Sequence, residues 1–207
     1  TSGITQELIM IVVFVIALVV YFFVWRRSDD GQLPKWAGIV AIVVSVVLVV
    51  IMSHSYNMAA RPAWNTPILW LYYLGNAAFF GSLAMMAIMG AKGLKDAVLG
   101  MVAVVSGVFS ALMTAIYAVY LMMAGSAFTD VGNYFDPTMP TKEMVDPQAA
   151  FSGLLTGETA LLFWLGVVVI GLAIPLVAAI VGRKKEPKQI VVWSVVGLIC
   201  ALAGGMC

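Results

Sequence analysis

The chain has 207 residues, 63% of them hydrophobic and 10% charged, with a net charge of +1 and a mean hydropathy of +1.04. Soluble domains carry about 45–50% apolar and about 25% charged residues, so a soluble globular domain is excluded and an integral membrane protein embedded in lipid is implied. The charge balance gives no ground for a nucleic-acid partner, and none is expected.

A helix needs about 20 apolar residues to cross a bilayer. Runs that qualify lie at about 8–25, 36–53, 67–91, 97–124, 154–182 and 189–207. They are continuous rather than alternating, and a backbone in lipid must satisfy its own hydrogen bonds. An all-α, polytopic transmembrane helix bundle with six visible spans, forming one transmembrane domain over residues 1–207, is therefore predicted. The first run is read as a span rather than a signal peptide, being too long and lacking a basic start. The chain opens without Met and stops at Cys207 inside an apolar run, so further segments are expected at one or both ends.

The breaks between spans differ in charge. The first, third and fifth, at about 26–35, 92–96 and 183–189, hold Arg26, Arg27, Lys35, Lys92, Lys95, Arg183, Lys184, Lys185 and Lys188, nine of the eleven Lys and Arg. The second and fourth hold Arg61 and Lys142. Positive residues accumulate on the cytoplasmic side, so the first set is expected to be cytoplasmic and the second extracytoplasmic. The fourth break, 125–153, carries Asp130, Asp136, Glu143 and Asp146 with Tyr134 and Phe135 among them. It reads either as a solvated connector or as a docking surface for an external partner. Cys200 and Cys207, seven apart with no Cys-x-x-Cys, suggest helix packing and not a metal or iron–sulfur site.

Polar and aromatic residues concentrate at the second break: Ser53-His54-Ser55-Tyr56-Asn57-Met58-Ala59-Ala60-Arg61-Pro62-Ala63-Trp64-Asn65-Thr66-Pro67. His54 is the chain's one histidine. A quinone keeps its isoprenoid tail in lipid, so its head must be met at the membrane edge. Imidazole accepts and releases protons near neutrality. Arg61 is suited to holding negative charge that develops on a quinol oxygen, and Tyr56, Trp64, Tyr72 and Tyr73 are suited to walling a flat ring. Trp64-Asn65-Thr66-Pro67 reads as an interfacial cap for the third span. Plainer readings stand beside these: belt packing for Trp70, Tyr72 and Tyr73, snorkelling for Arg61, and a hydrogen-bonded interface role for His54.

A haem held between helices normally needs two histidines, so no self-contained dihaem cytochrome is expected, and no metal site within this chain. No acidic residue lies at mid-bilayer depth in any span, Asp96 and Glu158 being near span ends, whereas a transporter or proton pump would usually show such a group. Asn76, Ser82, Ser106, Ser110 and Thr114 read as hydrogen-bonding glue between helices.

The run from Ser53 to Pro67, followed by Tyr73-Leu74-Gly75-Asn76-Ala77, resembles the junction of the second and third helices in DmsC-type anchors, the quinone-interacting membrane subunits of dimethyl sulfoxide reductase-like molybdoenzymes. Leu162-Phe163-Trp164-Leu165-Gly166 through Gly171 and Ile174-Pro175 is similar to a helix of the related NrfD and polysulfide-reductase anchors. The resemblance covers about two-thirds of the chain. It implies a multi-pass protein of the bacterial inner membrane, in a heterotrimer with a molybdopterin catalytic subunit and a four-cluster ferredoxin-like iron–sulfur subunit. It further implies menaquinol as the bound substrate, oxidised near His54 with Arg61 close by; with these two, Tyr56, Trp64, Asn65, Tyr73 and Asn76 are the candidate quinone-binding residues. Such anchors commonly have eight spans. Some carry an acid in the third helix where this chain has Asn76 and Ala77, which leaves Glu158 as a substitute proton relay or, more simply, as a charge favourable to the helix dipole. Two rivals to the quinol reading are a transporter or channel and an anchor without quinone chemistry.

Overall fold

A computed structural model describes residues 3–28, 34–57, 64–124 and 154–205. Every regular element in them is helical: α1 (Gly3–Arg26), α2 (Lys35–Ser55), α3 (Ile68–Ala91), α4 (Ala97–Ala124), α5 (Leu162–Gly182) and α6 (Pro187–Gly204). All six are long and apolar enough to cross a membrane. The all-α bundle class expected from the apolar runs is what forms.

Helix ends follow local chemistry. Thr66 Oγ1 accepts the Ile68 amide at 3.3 Å and Pro67 follows it, so the expected cap of α3 is present. At the other end of α3 the Gly93 amide donates to Gly90 and the Leu94 amide to Met89, closing a Schellman turn in which Gly93 takes φ +73°. Asp96 Oδ1 then caps α4 by accepting from the Leu99 amide at 2.9 Å.

Boundaries depart from the apolar runs in three places. α1 starts at Gly3, so Glu7 lies inside the helix. α2 extends to Ser55, which puts His54 in its last turn and not in the loop. Residues 154–159 form turns, and the fifth helix begins at Leu162, later than the hydropathy suggests.

The chain divides into two compact units, 1–74 and 75–207. In the first, α1 and α2 pack along each other. α1 has no buried residue and is apolar around its whole circumference, the surface of a helix that faces lipid. In the second, Phe79, Leu83 and Met86 of α3 pack with Ala103, Ala179 and Ile190 to form the core. The glue expected from small polar residues is mostly internal to single helices. Ser82 Oγ donates to Phe79 O, Ser106 Oγ to Val102 O and Thr114 Oγ1 to Ser110 O. A hydroxyl in an apolar helix reaches its own turn more readily than a neighbour. The Ser110 hydroxyl does cross, donating to Asn76 Oδ1 of α3 at 2.5 Å.

α5 changes register along its length. Leu162–Ala173 closes in the wide π pattern, and the Ile174 amide still reaches five residues back to Val169 before Pro175 opens the α-helical half. Gly166 and Gly171 are five apart and both buried. In α geometry they would point about 140° apart, yet both meet Gly204 of α6, and a Cβ on Gly171 would stand 3.0 Å from the Gly204 Cα. Backbone meets backbone there, so no side chain fits. Gly204→Val should lower the unfolding free energy of the detergent-purified chain by about 1–3 kcal/mol, read as a fall in Tm. Gly81→Ala, at a position with nothing within 4 Å, should leave Tm unchanged or raise it.

Candidate functional site

The first unit gathers aromatic and titratable groups where α2 ends and α3 begins. His54, in the last turn of α2, is exposed. Its imidazole meets the indole of Trp70 edge to face, with ring centroids 5.5 Å apart and planes at 79°. Tyr56, the C-cap of α2, lies parallel to Tyr73 at 6.2 Å and edge-on to Trp64 at 6.0 Å. Tyr72 stands edge-on to Tyr73 at 5.9 Å. A continuous aromatic wall therefore runs from Trp64 through Tyr56 and Tyr73 to Tyr72, with the His54 and Trp70 pair in the same unit.

Of the residues singled out from sequence, His54, Tyr56, Trp64 and Tyr73 fall in this cluster. Asn65 is exposed in the turn that precedes Thr66. Arg61 and the acidic loop 125–153 lie outside the described residues. Asn76 belongs to the second unit, where its carbonyl oxygen is engaged by Ser110. Glu158 also belongs to the second unit, exposed in the turns ahead of α5.

Three groups that sequence reading passed over stand out. Trp70, taken as belt packing, is the ring against His54, and its Nε1 is buried without a partner among the described residues. The same is true of Asn57 Oδ1. A buried donor and acceptor left open in this way are costly unless something meets them. The third is Glu7. Its carboxylate accepts a hydrogen bond from Ser55 Oγ, the residue after His54. What permits the contact is Gly3: a Cβ there would stand 2.9 Å from the Ser55 Cβ, so α1 can approach the end of α2 this closely only with glycine. Glu7 escaped notice because it lies one residue before the first apolar run, among Thr5 and Gln6.

The second unit has a cavity of about 450 Å³ between α4 and α5, lined by residues including Ala111, Thr114, Ala118, Phe163, Trp164 and Leu172. Among the described residues its lining holds no titratable side chain.

The close approach of α1 and α2 has a direct check. Gly3→Ala would set a Cβ 2.9 Å from the Ser55 Cβ, so it should lower the Tm of the detergent-purified chain, whereas Gly38→Ala, at a position with nothing within 4 Å, should not. A Gly3→Ala chain that melts with wild type would show that the helices do not meet at this end. No protein-family description, curated protein or solved structure matches this chain.

Proposed function

We propose that this chain is the quinone-interacting membrane anchor of a heterotrimeric molybdopterin and iron–sulfur oxidoreductase, and that it oxidises menaquinol beside His54. The single observation that carries the reading is an exposed imidazole at a helix end, held edge-on by Trp70 within an aromatic cluster. That combination suits a flat, lipid-soluble ring whose hydroxyl protons must leave toward water. Among the described residues, Trp70 Nε1 and Asn57 Oδ1 of the same unit are a donor and an acceptor without a hydrogen-bond partner.

In this reading His54 takes a proton from a quinol hydroxyl, the aromatic rings orient the head group, and Arg61 steadies negative charge on the reacting oxygen. The electrons pass to the iron–sulfur subunit, because this chain's one histidine and two cysteines make no haem or cluster ligand set of their own. The site and the loop 125–153 lie on the extracytoplasmic side of the bacterial inner membrane, with 26–35, 92–96 and 183–189 in the cytoplasm. Nine basic residues against two support that orientation. The rival transporter reading needs a charged path at mid-membrane depth. Among the described residues the buried polar side chains are all hydroxyls, which favours the anchor.

His54→Ala should reduce menaquinol-dependent turnover of the intact complex by about 100-fold or more, while assembly and artificial-dye activity persist. Unchanged quinol turnover would remove His54 from the chemistry. Orientation is checked separately: with the native cysteines replaced, Asn65→Cys should react with a membrane-impermeant thiol reagent in spheroplasts, and Lys95→Cys only after permeabilisation. The reverse pattern would invert the topology.

A further inference from the structure

We infer that Glu7 is the second proton acceptor of the quinol site, with Ser55 holding its carboxylate in position; this rests on the reading of His54 as the first. Oxidising a quinol breaks two O–H bonds, and one imidazole takes one proton. From the sequence alone the candidate for a second proton relay is Glu158. The structure brings Glu7 of α1 to the residue that follows His54.

Three observations meet at Glu7. It is hydrogen-bonded to Ser55, adjacent in the chain to His54, across the α1–α2 contact that Gly3 makes possible. Its side chain is half-buried and not fully in solvent. And it sits past the first turn of α1, so the favourable interaction of an acid with a helix N-terminus, confined to that turn, does not account for it. A half-buried carboxylate in a helix otherwise suited to lipid is costly, and such residues usually serve function. Among the described residues the partner shown for it is the Ser55 hydroxyl.

The Ser55 hydroxyl makes a proton on Glu7 easy to accommodate. It has one hydrogen and two acceptors in reach, the Glu7 carboxylate and the Met52 carbonyl at 2.8 Å. With Glu7 ionised, Ser55 donates to it. Once Glu7 is protonated, the hydroxyl turns to Met52 and its lone pair accepts the new carboxyl O–H, so no group is stranded. The balance is complete: one quinol O–H proton goes to an imidazole nitrogen of His54, and the other to a carboxylate oxygen of Glu7. The two electrons leave singly for oxidised iron–sulfur centres of the partner subunit, and both protons are then released to water at this end of the helices.

The test uses the intact membrane-bound complex with reduced menadione as the probe. Glu7→Gln should lower kcat about 100-fold with KM nearly unchanged and artificial-dye activity intact, and Glu7→Asp should recover at least about a tenth of the rate. A merely structural Glu7 would not produce a second expected signal. Quinol addition to the oxidised wild-type complex should raise a protonated-carboxyl band in the infrared difference spectrum, shifted in Glu7→Asp and lost in Glu7→Gln. If His54→Ala abolishes turnover while Glu7→Gln matches wild type, the Glu7 assignment falls and the quinol reading stands. If His54→Ala also turns over normally, both fall. Absence of any carboxyl band in the wild-type complex overturns the assignment even where Glu7→Gln does not assemble.

Discussion

A bilayer offers no water to an unpaired amide, and this constraint shapes everything else in the chain. The backbone closes on itself in six helices, and groups that need water are pressed to the helix ends. Aromatic side chains and the one histidine are gathered where α2 stops and α3 starts. The capping devices at these ends, Thr66 before α3, Gly93 after it and Asp96 before α4, satisfy amides and carbonyls that would otherwise be orphaned. Only once the ends are fixed in this way can side chains such as His54 and Trp70 hold a stable mutual geometry.

The site is built from two kinds of contact. One is local: His54, Tyr56, Trp64, Trp70 and Tyr73 lie within twenty residues, around the end of α2 and the start of α3. The other spans 48 residues, joining Glu7 to Ser55. The local contact is sequence-near and depends on the helix ends. The distant one depends on a glycine, because any Cβ at position 3 would wedge α1 away from α2. The proton chemistry proposed for this site thus leans on a residue that has no side chain.

These two kinds of contact also explain what was readable in the residues themselves. The six helices are legible because twenty apolar residues in succession have few other fates in a chain of this composition. The aromatic cluster is legible because polar and ring-bearing residues are scarce elsewhere and crowd one break. Helix ends are less so. Thr5, Gln6 and Glu7 lower the hydropathy, yet polar side chains do not stop the backbone from winding, so α1 continues through them to Gly3. Leu154 and Leu155 raise the hydropathy ahead of α5, yet the stretch Thr156-Gly157-Glu158-Thr159 turns the chain. Whether a serine bonds its own helix or a neighbour is not written in its neighbours at all: Ser106 and Ser110 are four apart in α4, and only the second meets a partner on α3. Asn76 illustrates the same limit, since its engagement by Ser110 depends on which helix faces it.

The register change in α5 has a consequence for how that helix behaves as a mechanical part. Winding through the wide pattern from Leu162 to Ala173 rotates the stripe presented by the first half relative to the stripe presented by Ile174–Gly182. The two halves act as separately indexed cogs on one shaft. One tooth engages Gly204 through Gly166 and Gly171, and the other buries Pro175, Ala178 and Ala179. An insertion or deletion in the wide stretch would change the angle between the two stripes and swing one set of teeth out of mesh, so the length of this segment is constrained as well as the identity of Gly166 and Gly171.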